Sequence, residues 1–150
     1  MLHTVSEAAR ERLMWSDGFA TGIVAVDAQH RRLLTLLDQV RGLVADRHRP
    51  DHRAQLEQVV EALNDYAAQH FLTEETLLRQ HLATHPGTSA HIRAHRSYWT
   101  QVAGFKRQLR YGESGVEDAL YAFLRQWWIG HILTVDQEMG TALRPLLAGK

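Results

Sequence analysis

Apolar residues recur at steps of three and four along four stretches of the chain, with polar residues filling the positions between them. In the first, Val26, His30, Leu33, Leu37, Val40 and Val44 line one side of a 3.6-residue helix, and the stretch ends in a polar run over residues 45–53. The second opens after Pro50 with Asp51 as its expected N-cap, and its face runs through Leu56, Val59, Leu63, Tyr66, His70, Glu74 and Leu77. The third, after the turn residues 85–89, places His91, His95, Tyr98, Val102, Phe105 and Leu109 on one side. The fourth begins at Ser114 and Glu117, spaced as a capping box, and continues through Leu120, Leu124, Trp127, His131, Val135 and Met139 to Pro145.

Four amphipathic helices with short connections predict an all-α fold, an antiparallel up-down-up-down four-helix bundle over residues 23–150. No alternating strand pattern competes. Residues 1–22, with Trp15 and Phe19, lack clear periodicity and are expected to form an N-terminal arm packed on the bundle. At 150 residues, 45% of them hydrophobic, the chain suffices for one core and is read as one domain overall.

Composition narrows the chemistry. Seventeen basic residues balance seventeen acidic ones, so charge predicts no affinity for nucleic acid. The same balance, without an obvious exposed apolar stripe, favours a monomer. There is no cysteine, which excludes disulfides, thiolate zinc sites, iron–sulfur clusters and thiol nucleophiles. No stretch approaches the roughly 20 apolar residues of a membrane span, and the N-terminus carries no apolar run of signal-peptide length. A cytoplasmic location is therefore expected.

Ten histidines are an excess, and half of them fall on the inward faces. His70 and Glu74 are separated by four residues, as are His91 and His95, a spacing that stacks two side chains on one side of adjacent turns. His30 and His131 lie on the inner stripes of the first and fourth helices. Asp136 follows His131 by five residues, about 140° around an ideal helix. Either the two straddle a site wide enough for two metals, or a local widening of the helix brings them together. Unpaired polar groups in such a core would each cost about 1 to 3 kcal/mol, so convergence of seven nitrogen and oxygen ligands predicts a metal site. His3, His48, His52, His81 and His85 fall outside these faces and are given no metal role. Glu75 should rotate about 100° off the inner direction, to the surface or behind a ligand.

These residues resemble those of the hemerythrin family, specifically its single-domain bacterial kind. The resemblance rests on His30, on His70 through Glu74 and Glu75, on the pairs His91/His95 and His131/Asp136, on Trp15, on residues 26–30 and on the tryptophan before His131. It implies two iron ions, Fe(II) or Fe(III), bridged by an oxo or hydroxo group. His91, His95 and His131 would bind one iron, His30 and His70 the other, and Glu74 and Asp136 would bridge them. Dioxygen would then bind at the iron held by two histidines. Imidazole alone accepts zinc, copper or nickel too, so iron follows from the family rather than from ligand type.

The implied function is reversible dioxygen binding for intracellular storage or delivery, with an oxygen-consuming enzyme as recipient and no enzymatic activity of its own. The alternatives are an oxygen sensor and a di-iron peroxidase or nitric oxide handling protein. Oxygen-activating di-iron bundles use Glu-x-x-His pairs, and none occurs here. Trp127 and Trp128 are candidates for the apolar wall of an oxygen pocket, though many relatives carry leucine at the second position. Tyr66, Tyr98 and Phe71 are read as core packing.

Overall fold

The computed structural model describes residues 11–48 and 50–148. The first ten positions of the expected arm, His3 among them, lie outside the described residues. Helices α1 (Val24–Ala45), α2 (His52–His81), α3 (Thr88–Arg110) and α4 (Val116–Leu133) form the bundle, and α5 (Val135–Leu147) continues α4 beyond a break at Thr134. Packing of α1 on α2 and α4, and of α3 on α2 and α4, closes the ring of neighbours that short connections impose on an antiparallel four-helix bundle. Among the described residues there is no strand, and no helix is long and apolar enough to cross a membrane.

The inner stripes hold the core, with one rotation. In α2 the most deeply buried apolar positions are Leu56, Val60, Leu63, Ala67, Phe71 and Leu78, so Val59, Tyr66 and Leu77 sit half-buried at its flank. The apolar core is divided. A large cluster runs from Leu33 to Val44 on α1 and includes Leu63, Phe71, Tyr98, Leu124 and Trp128, whereas a small one gathers Ile23, Val26, Leu78, Leu82, Met139 and Leu143. Along three helices the expected ligands sit at the junction: His30 between Val26 and Leu33, Glu74 between Phe71 and Leu78, and Asp136 between Trp128 and Met139.

Two helix starts differ from expectation. The capping box at Ser114 and Glu117 does not form: α4 starts at Val116, its N-cap is Gly115 at φ +77°, and no side chain caps it. A left-handed glycine turns the chain into the helix one residue late, leaving Ser114 too far away and releasing Glu117. Asp51 does occupy the N-cap of α2 but makes no side-chain cap, and its carboxylate accepts from Gln55 Nε2 at 2.6 Å instead. Pro145 does not end the last helix, which runs on to Leu147.

Residues 11–22 pack along the bundle. Leu13 N–H donates to Asp38 at 2.9 Å, Trp15 lies 5.8 Å from Phe19, and the Arg31 guanidinium sits 4.7 Å over the Trp15 ring. The stretch 19–22 is tied to the first helix and to the last, which meet at one end of the bundle. Asp27 accepts from the backbone N–H groups of Thr21 and Gly22, while Gln137 and Arg144 of α5 donate to the carbonyls of Phe19, Ala20 and Thr21.

Candidate metal centre

The break at Thr134 determines how the two ends of the site meet. Thr134 donates both its backbone N–H and its hydroxyl to Gly130 O, at 3.1 and 2.7 Å, an arrangement that loosens and bends helices. With Thr134 at φ −118° and ψ −72°, the chain re-enters the helix as α5 and Asp136 turns inward. His131 Nε2 and Asp136 Oδ1 then lie 3.2 Å apart. An interruption of the helix, rather than a bulge within it, brings the five-residue step onto one site.

The structure brings His30, His70, Glu74, His91, His95, His131 and Asp136 together, all of them buried. Asp136 reaches His30 Nε2 at 2.9 Å and His91 Nε2 at 3.2 Å, and Glu74 reaches the Nε2 atoms of His70, His91 and His95 at 3.3, 3.5 and 3.2 Å. His30 Nε2 and His70 Nε2 face each other at 3.1 Å. Two sets of candidate ligand atoms result, each lying within 4.8 Å: Glu74, His91, His95 and His131 in one, and His30, His70, Glu74 and Asp136 in the other.

Hydrogen bonding alone does not satisfy this layer. Both oxygens of Glu74, both of Asp136 and the Nε2 atoms of His91, His95 and His131 are buried without a hydrogen-bond partner. Native cores rarely leave so many polar atoms orphaned, and each would cost about 1 to 3 kcal/mol. The donor set of imidazole nitrogens and carboxylate oxygens fits divalent or trivalent transition-metal cations.

The electrostatics agree. Burial pulls the imidazoles of His30 and His91 down, but the facing carboxylates of Asp136 and Glu74 outweigh it and push each up to about 9. Burial raises both carboxyls, and Glu74 raises Asp136 further. The surrounding histidines nevertheless hold Glu74 and Asp136 well below the usual carboxylate range. A cation entering here competes with the protons on His30 and His91, so its affinity falls in acid.

Aromatic rings close the site on one side. Phe71 stacks on His95 at 3.9 Å and 15°, and Trp128, fully buried, stacks on Phe71 and stands 6.0 Å from His70. Trp127 instead stacks on His131 at 4.5 Å and 11°. Trp127 thus lies against a histidine of one ligand set and Trp128 near a histidine of the other. Phe71, expected to be plain packing, touches a candidate ligand.

Sequence reasoning missed Gln29. Its Oε1 lies 2.8 Å from His70 Nδ1. Its neighbour on the inner face, His30, drew attention, and a polar residue one position before carried no periodic signal. Glu75 stands behind a ligand, its Oε2 3.0 Å from His95 Nδ1. Of the histidines given no metal role, His52 is buried and meets Glu117 Oε1 at 2.5 Å, far from this layer along α2.

A helical bundle that presents five imidazoles and two carboxylates to one buried layer, in two overlapping sets of candidate ligands, is compatible with a cation-binding bundle. The family model described as the hemerythrin HHE cation binding domain matches residues 21–143. The chain is 31% identical over 132 residues to the bacteriohemerythrin of Pseudomonas paraeruginosa (strain DSM 24068 / PA7), covering 88% of this chain and 82% of that one. It is 33% identical over 125 residues to the bacteriohemerythrin of Stenotrophomonas maltophilia (strain R551-3), covering 83% and 77%. The bacteriohemerythrin of Methylococcus capsulatus (strain ATCC 33009 / NCIMB 11132 / Bath) is more distant, at 27% over 125 residues, covering 83% and 91%. The chain belongs to the hemerythrin family.

Proposed function

We propose that the seven side chains hold two iron ions and that the chain binds dioxygen reversibly, for storage or delivery within the cell. The observation that carries this reading is the unequal division of the imidazoles, three on one side and two on the other, with Glu74 and Asp136 reaching both sides. His91, His95 and His131 would hold one ion and His30 and His70 the other, with the carboxylates between them. When bound, the ions would supply the electrons and the open coordination position that dioxygen binding needs.

The chain's own residues do the rest. Trp128 presents an apolar face beside His70 because its one polar atom, Nε1–H, is turned away to the Tyr98 hydroxyl at 3.3 Å. Tyr98 in turn donates to Asn64 Oδ1 at 3.0 Å. Burial pushes the Tyr98 phenol well above its ordinary range, against the opposing Trp128 N–H, so it stays protonated and brings no charge near the site. Trp128 keeps water from the two-histidine side and Phe71 covers His95, which protects a reversible ligand from hydrolysis.

The test is metal analysis together with the visible spectrum. Wild-type protein should carry about two irons, and its reduced form should change colour with oxygen and revert under argon. Glu74→Ala should lose iron, with far-ultraviolet circular dichroism confirming that the helices persist. Fewer than about two irons in wild type, or full iron in the variant, would overturn the assignment. Rapid irreversible oxidation with consumption of added peroxide would favour an enzyme over a carrier.

A further inference from the structure

We infer that Gln29 and Glu75 are positioning residues for His70 and His95, and that their different charge makes the two halves of the centre electronically unequal. The inference rests on the two-ion reading above.

The hydrogen bonds fix each role. Thr73 spends its single hydroxyl hydrogen on Gln69 O at 3.1 Å, so toward Gln29 Nε2, 3.0 Å away, it can only accept. The Gln29 amide nitrogen therefore faces Thr73 and its oxygen faces His70. His70 Nδ1 must then be the donor across the 2.8 Å contact. On the other half, the Glu75 carboxylate can only accept, so His95 Nδ1 donates to it at 3.0 Å. Arg79 holds the second Glu75 oxygen at 3.3 Å from an exposed position on the next turn. In both rings the proton is placed on Nδ1, and Nε2 is presented to the centre as a lone pair.

The two acceptors are not equivalent. A carboxylate behind an imidazole draws more strongly on its N–H than a neutral amide does, and it makes the opposite nitrogen the better electron donor. The three-histidine half, backed by Glu75, thus favours the more highly charged ion. The two-histidine half, backed by Gln29, favours the ion that keeps its electron. Of the two sides, the one with fewer imidazoles, and so with a coordination position to spare in the proposed function, is the one whose histidine is left with a neutral partner. The exchange of these two partners, not of any ligand, would redistribute that preference.

The experiment uses the full chain stripped of metal, with Glu75→Gln, Gln29→Glu and Arg79→Ala. Cobalt(II) uptake is followed in competition with a chromophoric chelator, the midpoint potential of the iron-loaded protein by redox titration, and the fold by thermal melting of the stripped chain. Glu75→Gln should weaken one of the two uptake steps by about tenfold to a hundredfold. It should also raise the potential: a tenfold loss in ferric over ferrous preference corresponds to about 59 mV for one electron. Gln29→Glu should lower the potential and tighten the other uptake step, and Arg79→Ala, which takes a counter-charge from Glu75 but leaves its carboxylate in place, should neither raise the potential nor weaken uptake. A Glu75→Gln protein with wild-type uptake and potential overturns the inference, as does an Arg79→Ala protein that reproduces the Glu75→Gln changes, since the role would then be structural. A wild-type chain that takes up only one ion overturns the two-ion reading itself, and this inference with it.

Discussion

At the scale of single residues, the stretch from Val26 to His30 shows how much a sequence pattern can hide. Periodicity read Val26 and His30 as inward-facing, and both are fully buried. It was silent on Asp27, which accepts three hydrogen bonds from Thr21 and Gly22, and on Gln29, which reaches across to α2. Helical period reports which face a residue is on. It does not report what a polar group on the flank will find on another element. The same limit applies to Gly140, one glycine among ten in the sequence, whose role depends wholly on its neighbour. A Cβ there would sit 2.5 Å from the carbonyl oxygen of Thr21, a backbone atom itself held by Arg144 at 2.7 Å. Neither side can yield cheaply. Gly140→Ala should therefore destabilise the protein by about 1 to 3 kcal/mol, the usual cost of overpacking, measured as a lower denaturant midpoint at unchanged slope. A variant as stable as wild type would mean that the loop at Thr21 yields freely.

At the scale of elements, the four long helices were legible because each carries several turns of repeating apolar positions, but their joints were not. The break at Thr134 has no periodic signature, and the sequence left the His131 to Asp136 step open for that reason. Ser114 and Glu117 have the spacing of a capping box, yet Glu117 does not act in one. Its observed role is to join three helices at the end of the bundle. The carboxylate meets His52 Nε2 at 2.5 Å and Arg53 at 3.3 Å, while His52 Nδ1 contacts Asp46 O at 3.1 Å and Arg53 donates to Leu109 O at 2.6 Å. A buried pair of this kind costs most when one partner is removed and the other is left. Glu117→Ala and His52→Ala should each lose about 1 to 3 kcal/mol, and the double variant should lose less than their sum. Strict additivity in that cycle would show that the two side chains are not coupled.

The arm provides a pH-dependent joint at the same scale. Burial raises the Asp38 carboxyl, but the hydrogen bonds from Arg41 and from Leu13 N–H, with the charges of Arg41 and Arg12, hold it below the ordinary carboxylate range. A carboxyl depressed on folding stabilises the fold above its unfolded pKa, and that contribution is lost as pH falls through the folded value. Docking of residues 11–15 should thus be retained near neutral pH and weaken in acid, below the usual range of an aspartate. Hydrogen exchange protection of the Leu13 amide, referred to intrinsic rates, should fall across that interval. Asp38→Asn should lower it at neutral pH. Protection that stays level in acid would count against Asp38 as the anchor.

At the scale of the whole molecule, the candidate metal layer separates the two apolar clusters, so neither cluster is continuous with the other except through polar side chains. Donors come from α1, α2, α3, α4 and α5, and a cation held among them ties every helix of the bundle to one point. Binding to the folded chain alone adds stability that grows with the logarithm of metal concentration, about 2.7 kcal/mol at a hundredfold excess over Kd. For a domain of this size, that corresponds to a rise in Tm of roughly 5 to 10 °C. The effect should not be uniform along the chain. The small cluster, built from Ile23, Val26, Leu78, Leu82, Met139 and Leu143, has few members of its own and depends on the layer for its connection to the rest. Removing metal with a chelator should therefore lower Tm and deprotect amides around residues 23–26, 78–82 and 139–143 before those around Leu63 and Leu124. Loss of protection at both ends together would mean that the large core alone sets cooperativity. No change in Tm on chelation would mean that the buried layer does not bind the metal it is shaped to hold.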